Sequence, residues 1–229
     1  MEKMVKFYNS YNVAVRYVFT NPLVPEENFY SRFENLMLSI GHNGLNEIVI
    51  NNDKLEEYIR ANYPNYHFIS STTKRLDNIE SAKEELNKSY DYICLDYDLN
   101  SNKEFLESLS KEQLSHIELL CNAICEPNCS LRKIHYLENS KYSLNYGKFY
   151  QLNCPVCHSI NSNYTITNKN TITWKDIVQY YYPLGIDQFK IEGRTLDLID
   201  NICSYSRYLI KPEHQFEFIE NIFSEINKI

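Results

Sequence analysis

The chain has 229 residues and a formal net charge of −7, with 43% hydrophobic and 23% charged residues. That length fits one large domain or two small ones and can bury an ample core, and the composition is ordinary for a globular protein. The negative charge argues against general coating of nucleic acid, although it leaves room for a local basic pocket that accepts RNA or an acidic small molecule.

No apolar stretch reaches the roughly 18 residues that span a bilayer. The opening stretch, MEKMVKFYNSYNVAVRY, lacks the apolar run of a signal peptide. We therefore expect a cytoplasmic protein with no membrane partner. In the reducing cytoplasm, clustered cysteines indicate metal ligands or catalytic groups before they indicate disulfides.

Short apolar runs, each followed by a polar cluster and a helical pattern, recur along the chain. The first is VAVRYVFT, followed by PEENFYSRFENLMLSIG, in which Pro25 suits a helix start. The alternation returns at EIVINNDKLEEYIRANY, at HFISSTT with NIESAKEELNKSY, and at YDYICLDYDLN with NKEFLESLS. Later, HIELLCNA runs into cysteines, and IDQFKIEGR precedes the helical patterns TLDLIDNICSYSRYLI and EHQFEFIENIFSEIN. These are six predicted strands, with weaker candidates near 147–152 and 164–173.

Apolar runs that alternate with helices of about three turns are typical of βα units around a parallel sheet. Eight such units usually take about 250 residues. We therefore predict an α/β fold, a compact or incomplete TIM-type (βα) barrel, as a single domain over residues 1–229. A doubly wound open sheet is the rival, but no Gly-rich phosphate loop follows an early strand. The irregular segment over residues 121–173 is predicted to be a cysteine-bearing insertion.

In a (βα) barrel, the residues that follow the strands line the mouth of the active site. Side chains predicted at this edge are Asn51, Asn52, Ser71, Thr72, Asp96, Asp98, Asn122, Glu192 and Arg194. We assign catalytic roles to Asp96 and Asp98, and substrate-binding roles to Asn51, Ser71, Thr72 and Asn122. The alternative for Ser, Thr and Asn is that they cap helices for purely local reasons.

Five of the seven cysteines fall between residues 121 and 157. Cys121 ends the apolar run IELLC, so it is predicted to pack as a small hydrophobic residue, and Cys94 and Cys203 are assigned to the core. The cysteines that remain as metal-ligand candidates form a Cys-x3-Cys pair and a Cys-x2-Cys pair: Cys125, Cys129, Cys154 and Cys157.

Four thiolates bind either Zn²⁺ or an iron–sulfur cluster. The stretch CPVC is similar to half of a zinc ribbon, whereas the Cys-x3-Cys pair is less typical of structural zinc and its looser loop suits a larger cluster. The radical-SAM spacing, Cys-x3-Cys-x2-Cys, differs from the Cys-x3-Cys-x3-Cys found here. Spacing alone leaves zinc and iron–sulfur open, and a zinc that only ties down the insertion is the structural alternative.

The segment GIDQFKIEGRT, residues 185–195, resembles the collagenase-like peptidase family, peptidase family U-32. The hallmark strand of that family reads close to G-I/V-D-x-F/L-K-I-E-G-R, and the resemblance extends over the βα pattern from residue 47 to residue 210. Members are barrel-like, and several carry a 4Fe–4S cluster on four cysteines upstream of this strand. The better-understood branches resemble oxygen-independent hydroxylases that act on a tRNA or ribosomal RNA base, with prephenate as the linked oxygen donor, or on a quinone precursor.

The resemblance implies a 4Fe–4S cluster on the four cysteine candidates, Cys125, Cys129, Cys154 and Cys157, with zinc as the alternative. It also matches Lys190, Glu192 and Arg194 to the motif. The close cysteine pairs differ from the spread-out spacing of the RNA-acting members, and the chain is shorter than most. We therefore expect a small-molecule or nucleobase-like substrate.

The motif also makes chemical sense without the family. Lys190, Glu192 and Arg194 alternate along a predicted strand, so all three are expected on one side. Three buried charges are costly unless they pair or meet a charged ligand. We predict that Lys190 and Arg194 hold an anionic substrate or cosubstrate carboxylate, while Glu192 orients them or moves a proton. The alternative is a structural ion-pair network that closes the barrel, and Gly193 is expected to permit a close backbone approach.

Arg132 and His135 follow the first cysteines and lie one helical turn apart. We predict that Arg132 binds an anion and that His135 handles a proton beside the cluster; alternatively, both cap the insertion.

Three classes of function compete. We expect an oxygen-independent hydroxylase-like redox enzyme. One alternative is a zinc- or cluster-bearing partner subunit without its own catalysis. The other is a peptidase-like hydrolase, for which the chain shows neither a G-x-S-x-G elbow nor an H-E-x-x-H helix.

Overall fold

The computed structural model describes residues 1–123, 125–144, 171–193 and 197–226. The chain divides into two compact units. The first unit is Met1–Leu99 with Ser130–Asn153, and the second is Asn100–Cys129 with Cys154–Ile229. The single domain predicted over the whole chain stays a prediction.

The first unit is built on four parallel strands that pair in the order of the chain. They are β1 (Arg16–Phe19), β2 (Glu47–Ile50), β3 (His67–Ser70) and β4 (Tyr92–Cys94). The central strands are apolar on both sides: Ile48, Val49, Ile50, Phe68 and Ile69 are all at most 2% exposed. Continuous apolar runs of this kind are typical of parallel strands that are buried on both faces of the sheet.

The helices of the first unit follow the strands or flank the sheet. They are α1 (Glu2–Ser10), α2 (Arg32–Gly41), α3 (Asp53–Asn62), α4 (Ile79–Leu86) and, further along the chain, α7 (Arg132–Leu144). Two of them begin at local caps, since Asn52 accepts a hydrogen bond from Leu55 N and Asn78 accepts one from Ser81 N. Neither α1 nor α7 was predicted.

The helix predicted after β1 has two parts. A 3₁₀-helix, Glu26–Tyr30, precedes α2, and Ser31 between them is extended, with ψ 131°. The Asn35 side chain donates to Phe29 O and Ser31 O, which gives the carbonyl groups at this break their hydrogen bonds.

The second unit contains β5 (Ile117–Leu120) and β6 (Gln188–Lys190), which are parallel partners. Its helices before β6 are α5 (Lys103–Glu107), α6 (Lys111–Ser115), Trp174–Asp176, the π-helical turn Ile177–Tyr181, and Tyr182–Leu184. After β6 come Leu198–Leu209, the 3₁₀-helix Pro212–His214, and Gln215–Ile226.

The two ends of the predicted insertion lie side by side. Asn122 forms an antiparallel bridge with Thr171, and Ile172 N donates to Cys121 O at 2.8 Å. The segment between them therefore begins and ends at one place in the second unit. Residues 145–170 are outside the described residues, and with them the candidate strand near 147–152 and most of the candidate near 164–173.

The predicted α/β class is confirmed, and all six predicted strands are present in parallel pairs. Repeated parallel βα units are compatible with an incomplete (βα) barrel. Closure of the TIM type stays a prediction.

Candidate functional site

The carboxyl ends of β1, β2 and β3 lie at one level. The register places Phe19, Ile50 and Ser70, the last residues of these strands, side by side. The polar residues that follow the strands therefore share one edge, as expected for parallel strands in register.

The predicted substrate-binding side chains at this edge bond to Thr73 and to the backbone. Asn51 Nδ2 donates to Thr73 Oγ1 at 2.7 Å, and Thr72 Oγ1 donates to Leu95 O at 3.2 Å. Ser71 Oγ accepts from Thr73 N at 3.1 Å and caps a 3₁₀-helix. The capping alternative is thus confirmed for Ser71. A role for Asn51, Ser71 or Thr72 in substrate binding stays a prediction.

A buried arginine joins the two aspartates that follow β4. Arg132 is 1% exposed and Asp96 is fully buried. Arg132 Nη1 donates to Asp96 Oδ1 and to Asp98 Oδ2, each at 2.7 Å, and Nη2 donates to Asp98 Oδ1 at 3.2 Å. The guanidinium carbon also lies 4.1 Å from the centroid of the Tyr97 ring. This arrangement uses the planar fork of arginine on two carboxylates at once.

Burial dominates the electrostatics of this network. Loss of hydration raises the pKa of Asp96, even though the Asp98 N–H and the Arg132 guanidinium both act to lower it. A buried ion pair is seldom more stable than well-packed apolar residues of the same volume. The presence of a buried ion pair directly after a parallel strand therefore indicates a functional role as well as a structural one.

The guanidinium group of Arg132 is bound to protein side chains, whereas the sequence predicted that it binds an anion. An anion would have to compete with Asp96 and Asp98 for the guanidinium, so that role stays a prediction. His135 lies on the next turn of α7 and is half-buried. Its proton-handling role also stays a prediction.

Arg75, which sequence reasoning missed, is a second cation beside Asp96. Its Nε lies 4.0 Å from Asp96 Oδ2, and its Nη2 donates to Asp77 Oδ2 at 2.5 Å. The Arg75 backbone is left-handed, with φ 56°. A positive φ at arginine has no signal in the sequence, because Gly, Asn and Asp are the residues that usually adopt it.

In the second unit, Asn122 holds the backbone of Glu192. Asn122 Oδ1 accepts from Glu192 N and Asn122 Nδ2 donates to Glu192 O, both at 2.7 Å. The same Nδ2 donates to Ser204 Oγ at 3.1 Å. The Asn122 side chain thus extends the hydrogen-bonded pairing of β5 with β6. It positions the backbone of Glu192 and is not exposed to solvent.

The predicted motif strand is shorter than expected. It ends at Lys190, so Glu192 lies beyond the strand. The prediction that three charges alternate along one strand is therefore wrong for Glu192. Lys190 Nζ lies 3.8 Å from Glu118 Oε2, a contact that fits the ion-pair alternative. Arg194 lies outside the described residues.

Gly193 makes the close approach that was predicted. A Cβ built on it would lie 2.0 Å from Asn201 Oδ1 on the helix Leu198–Leu209. No side chain fits there without displacing Asn201, which explains the glycine in this motif physically.

The cysteines separate by burial. Cys121 and Cys94 are fully buried, as predicted, and Cys121 Sγ contacts Leu119 O at 3.7 Å. Cys125 and Cys129 are half-buried. Cys154 and Cys157 lie outside the described residues, and within the described ones no group of three metal-ligand side chains comes together. The four-cysteine site therefore stays a prediction.

A pocket of 670 Å³ opens in the first unit beside the end of β1. Its apolar wall includes the buried side chains of Phe29, Leu38 and Leu55. Asn21 and Ser143 line it as well, and Asn21 Nδ2 donates to Ser143 Oγ at 2.9 Å. The size suits a small-molecule ligand. None of the described residues predicted for the site lines this pocket, because its wall comes from β1, the segment after it and helices whose neighbours the sequence does not identify.

A buried lysine network, also missed, ties α3 and α4 to the end of β3. Lys74 Nζ contacts Asp53 Oδ1 at 3.1 Å, Glu85 Oε1 at 3.0 Å and Tyr90 OH at 2.8 Å. Ser70 Oγ donates to the same Glu85 oxygen at 2.6 Å. All three ammonium protons have acceptors, so this cluster is scaffolding.

No family model, curated protein or solved structure matches this chain. None of the described helices combines the length with the apolar composition that crossing a bilayer requires.

Proposed function

We propose that this chain is an iron–sulfur protein of the oxygen-independent hydroxylase type, acting on a small-molecule or nucleobase-like substrate from a TIM-type (βα) barrel. The supporting observation is the charge at the carboxyl ends of parallel strands. Asp96 and Asp98 follow β4 and are bound to buried Arg132, while Lys190 ends β6 and Glu192 follows it. Enzymes with parallel α/β architecture bind their substrates at these ends.

The proposed cofactor is a 4Fe–4S cluster on Cys125, Cys129, Cys154 and Cys157. The first two thiols are half-buried, which suits ligands of a shielded cluster, and the other two lie outside the described residues. Bound there, such a cluster supplies one-electron redox chemistry. Zinc on the same four thiols is the structural alternative.

The described residues have distinct roles in this proposal. Lys190 binds the anionic group of the substrate or cosubstrate, since its side chain is a quarter exposed and its contact with Glu118 is long, at 3.8 Å. Asn122 fixes the backbone of Glu192 through two hydrogen bonds, so the Glu192 carboxyl can accept or deliver a proton from a defined place. Arg194 supports Lys190 in anion binding.

The metal centre is tested by anaerobic purification. We expect brown protein with broad visible absorption and about four irons per chain. Serine at Cys125, Cys129, Cys154 or Cys157 should lower the iron content, whereas Cys121→Ser and the matched half-buried control Cys203→Ser should not. Colourless protein with one zinc per chain supports the structural alternative instead.

The catalytic assignment is tested in cells grown without oxygen. Lys190→Ala and Arg194→Ala variants that remain folded and retain iron should lose the hydroxylated product that the unaltered chain forms, as compared by mass spectrometry of small-molecule and RNA extracts. Lys175→Ala, which removes an exposed lysine elsewhere in the second unit, is the control. Unchanged product in both motif variants would refute this site.

The partner-subunit alternative has an observation of its own. Large apolar side chains on the last two described α-helices are more than half exposed: Leu198, Ile199, Leu209 and Phe216. Exposed apolar surface of this kind marks interfaces. If the iron-loaded chain forms no product alone but does so with a co-purified subunit, this alternative replaces independent catalysis.

A further inference from the structure

Two buried polar atoms face each other across a short gap after β4. Asp96 Oδ1 accepts from Asp98 N at 3.0 Å and from Arg132, but Asp96 Oδ2 has no hydrogen-bond donor among the described residues. Arg75 Nε lies 4.0 Å from Oδ2, and that nitrogen also has no hydrogen-bond acceptor in the described part of the chain. A buried donor or acceptor left without a bond costs about 1–3 kcal/mol. A matched pair of them therefore needs an explanation.

Hydrogen bonds fix both the backbone and the guanidinium group of Arg75. Its backbone N donates to Thr72 O at 3.0 Å in the left-handed conformation, and its Nη2 donates to Asp77. Left-handed backbone at a residue other than glycine costs about 1–3 kcal/mol and concentrates at ligand clamps and active sites. The fold thus holds the Arg75 side chain at a set distance from Asp96.

The geometry of the gap selects a hydroxyl group. One oxygen atom can lie about 2.8 Å from both atoms, as hydrogen bonds require. That oxygen must accept from the Arg75 Nε–H and donate to Asp96 Oδ2, and a hydroxyl or a water does both.

Charge selects a neutral ligand. The guanidinium groups of Arg75 and Arg132 lie within hydrogen-bond or ion-pair distance of three carboxylates, those of Asp77, Asp96 and Asp98, so no positive charge is left over for an anion. A cation has no acceptor for the Arg75 Nε–H, so an anion or a cation would enter this largely buried cluster at a desolvation cost that its contacts do not offset.

We propose that the gap between Asp96 and Arg75 binds the hydroxyl group of a small neutral ligand. Both atoms that face the gap are buried, so a ligand enters by displacing part of the Arg75 side chain, which at 21% exposed is the more accessible of the two residues. A water molecule holds the same place when no ligand is bound. This site uses only residues of the first unit and does not depend on the iron–sulfur cluster.

The test is an NMR titration of the arginine Nε–H signals in the intact chain, carried out in both iron-loaded and iron-free protein. The probes are ethylene glycol and 1,2-dimethoxyethane, which has the same oxygen spacing but no hydroxyl. The Arg75 signal is assigned by its loss in Arg75→Lys, with Arg75→Gln as the second variant if the first does not fold. We expect a saturable shift with ethylene glycol, none with the diether, and a retained response in the control Glu84→Gln, at an exposed position of α4.

Two results would overturn the proposal. One is an equal, non-saturating shift with both probes, which would report bulk solvent effects only. The other is a crystal structure in which Arg75 Nε bonds Asp96 Oδ2 directly, with no oxygen between them. Because the response is read in iron-free protein too, failure of the proposed cluster leaves this outcome unaffected.

Discussion

Arg132 donates to Asp96 across 36 residues of sequence, at 2.7 Å, with both side chains almost completely buried. The same Nη1 atom bonds Asp98, so one cation compensates two carboxylates at the end of β4. Helix α7, which carries Arg132, is thereby fixed to the sheet of the first unit by charge rather than by an apolar stripe.

Arg132→Met should destabilise the first unit by about 3–5 kcal/mol at pH 7, because it leaves two carboxylates without their buried partner. The deficit should shrink as the pH falls. Burial already raises the pKa of Asp96, so this acid binds a proton more readily in the folded state, and protonation removes the unpaired charge. Urea unfolding at pH 5 and pH 7 measures both effects. Lys133→Met, at the exposed neighbouring position, is the control, and an equal deficit at both pH values would contradict the charge argument.

Glu85→Gln should lower stability at pH 7 by about 1–3 kcal/mol and flatten the acid side of the stability profile. Burial raises the pKa of Glu85, but hydrogen bonds from Lys88, Ser70 and Lys74 outweigh it and hold that pKa below its usual value. The stabilisation is therefore present above the unfolded-state pKa of about 4.3 and is lost as the pH falls through the lower folded-state pKa. Unfolding free energies from pH 3 to pH 7 test this. Exposed Glu84→Gln should keep the acid slope of the unaltered chain.

The strands could be predicted because a strand that is buried on both faces needs a continuous run of apolar residues. Ile48, Val49 and Ile50 are buried on both faces of the sheet, so β2 appears as an unbroken apolar run. The residues after such runs were placed correctly at the strand ends for the same reason. Cys121 was assigned to the core on the same pattern, and it is fully buried.

Helix α7 could not be predicted in this way, since only Arg132 and Ser140 are buried along its length. A helix that buries an arginine and a serine instead of an apolar stripe has no apolar periodicity to detect. The partners of Arg132, Lys74 and Asn122 are likewise tertiary, and a single sequence does not state which distant side chain meets which. The left-handed backbone of Arg75 belongs to the same class of feature.

His67→Gln should remove a contribution to stability that disappears at alkaline pH. The hydrogen bond from His67 Nδ1 to Asp91, at 2.9 Å, raises the pKa of His67 above its usual value despite partial burial. Its Nε2 lies 3.1 Å from Gly44 O, so both nitrogens meet acceptors and the imidazolium satisfies both. The stabilisation is complete below the unfolded-state pKa of about 6.5 and is lost as the pH rises through the folded-state pKa.

The magnitude at His67 should be below about 1 kcal/mol, because half of the side chain is exposed and solvent screens the pair. An NMR titration of the His67 ring gives the pKa directly, and unfolding at pH 6 and pH 8 gives the stability. His214→Gln, at a more exposed histidine, is the control. A His67 pKa at or below 6.5 would contradict the expected sign.

Gly193→Ala should destabilise the second unit by about 1–3 kcal/mol, the usual cost of inserting a methyl group into a filled space. The new Cβ would lie 2.0 Å from Asn201 Oδ1, so the Asn201 side chain, its helix Leu198–Leu209 or the backbone beside Glu192 must move. Gly44→Ala separates this steric cost from backbone strain, since no heavy atom lies within 4 Å of its Cβ position although its φ is +83°.

The steric cause at Gly193 is isolated by a double-mutant cycle with Asn201→Ala. Shortening Asn201 removes the oxygen that the new methyl group meets, so Gly193→Ala should cost less in that background, while the cost of Gly44→Ala should be the same in both. Chemical denaturation of the single and double variants gives the coupling. Equal costs of Gly193→Ala with and without the Asn201 side chain would mean that the glycine serves the backbone conformation of the motif rather than its approach to this helix.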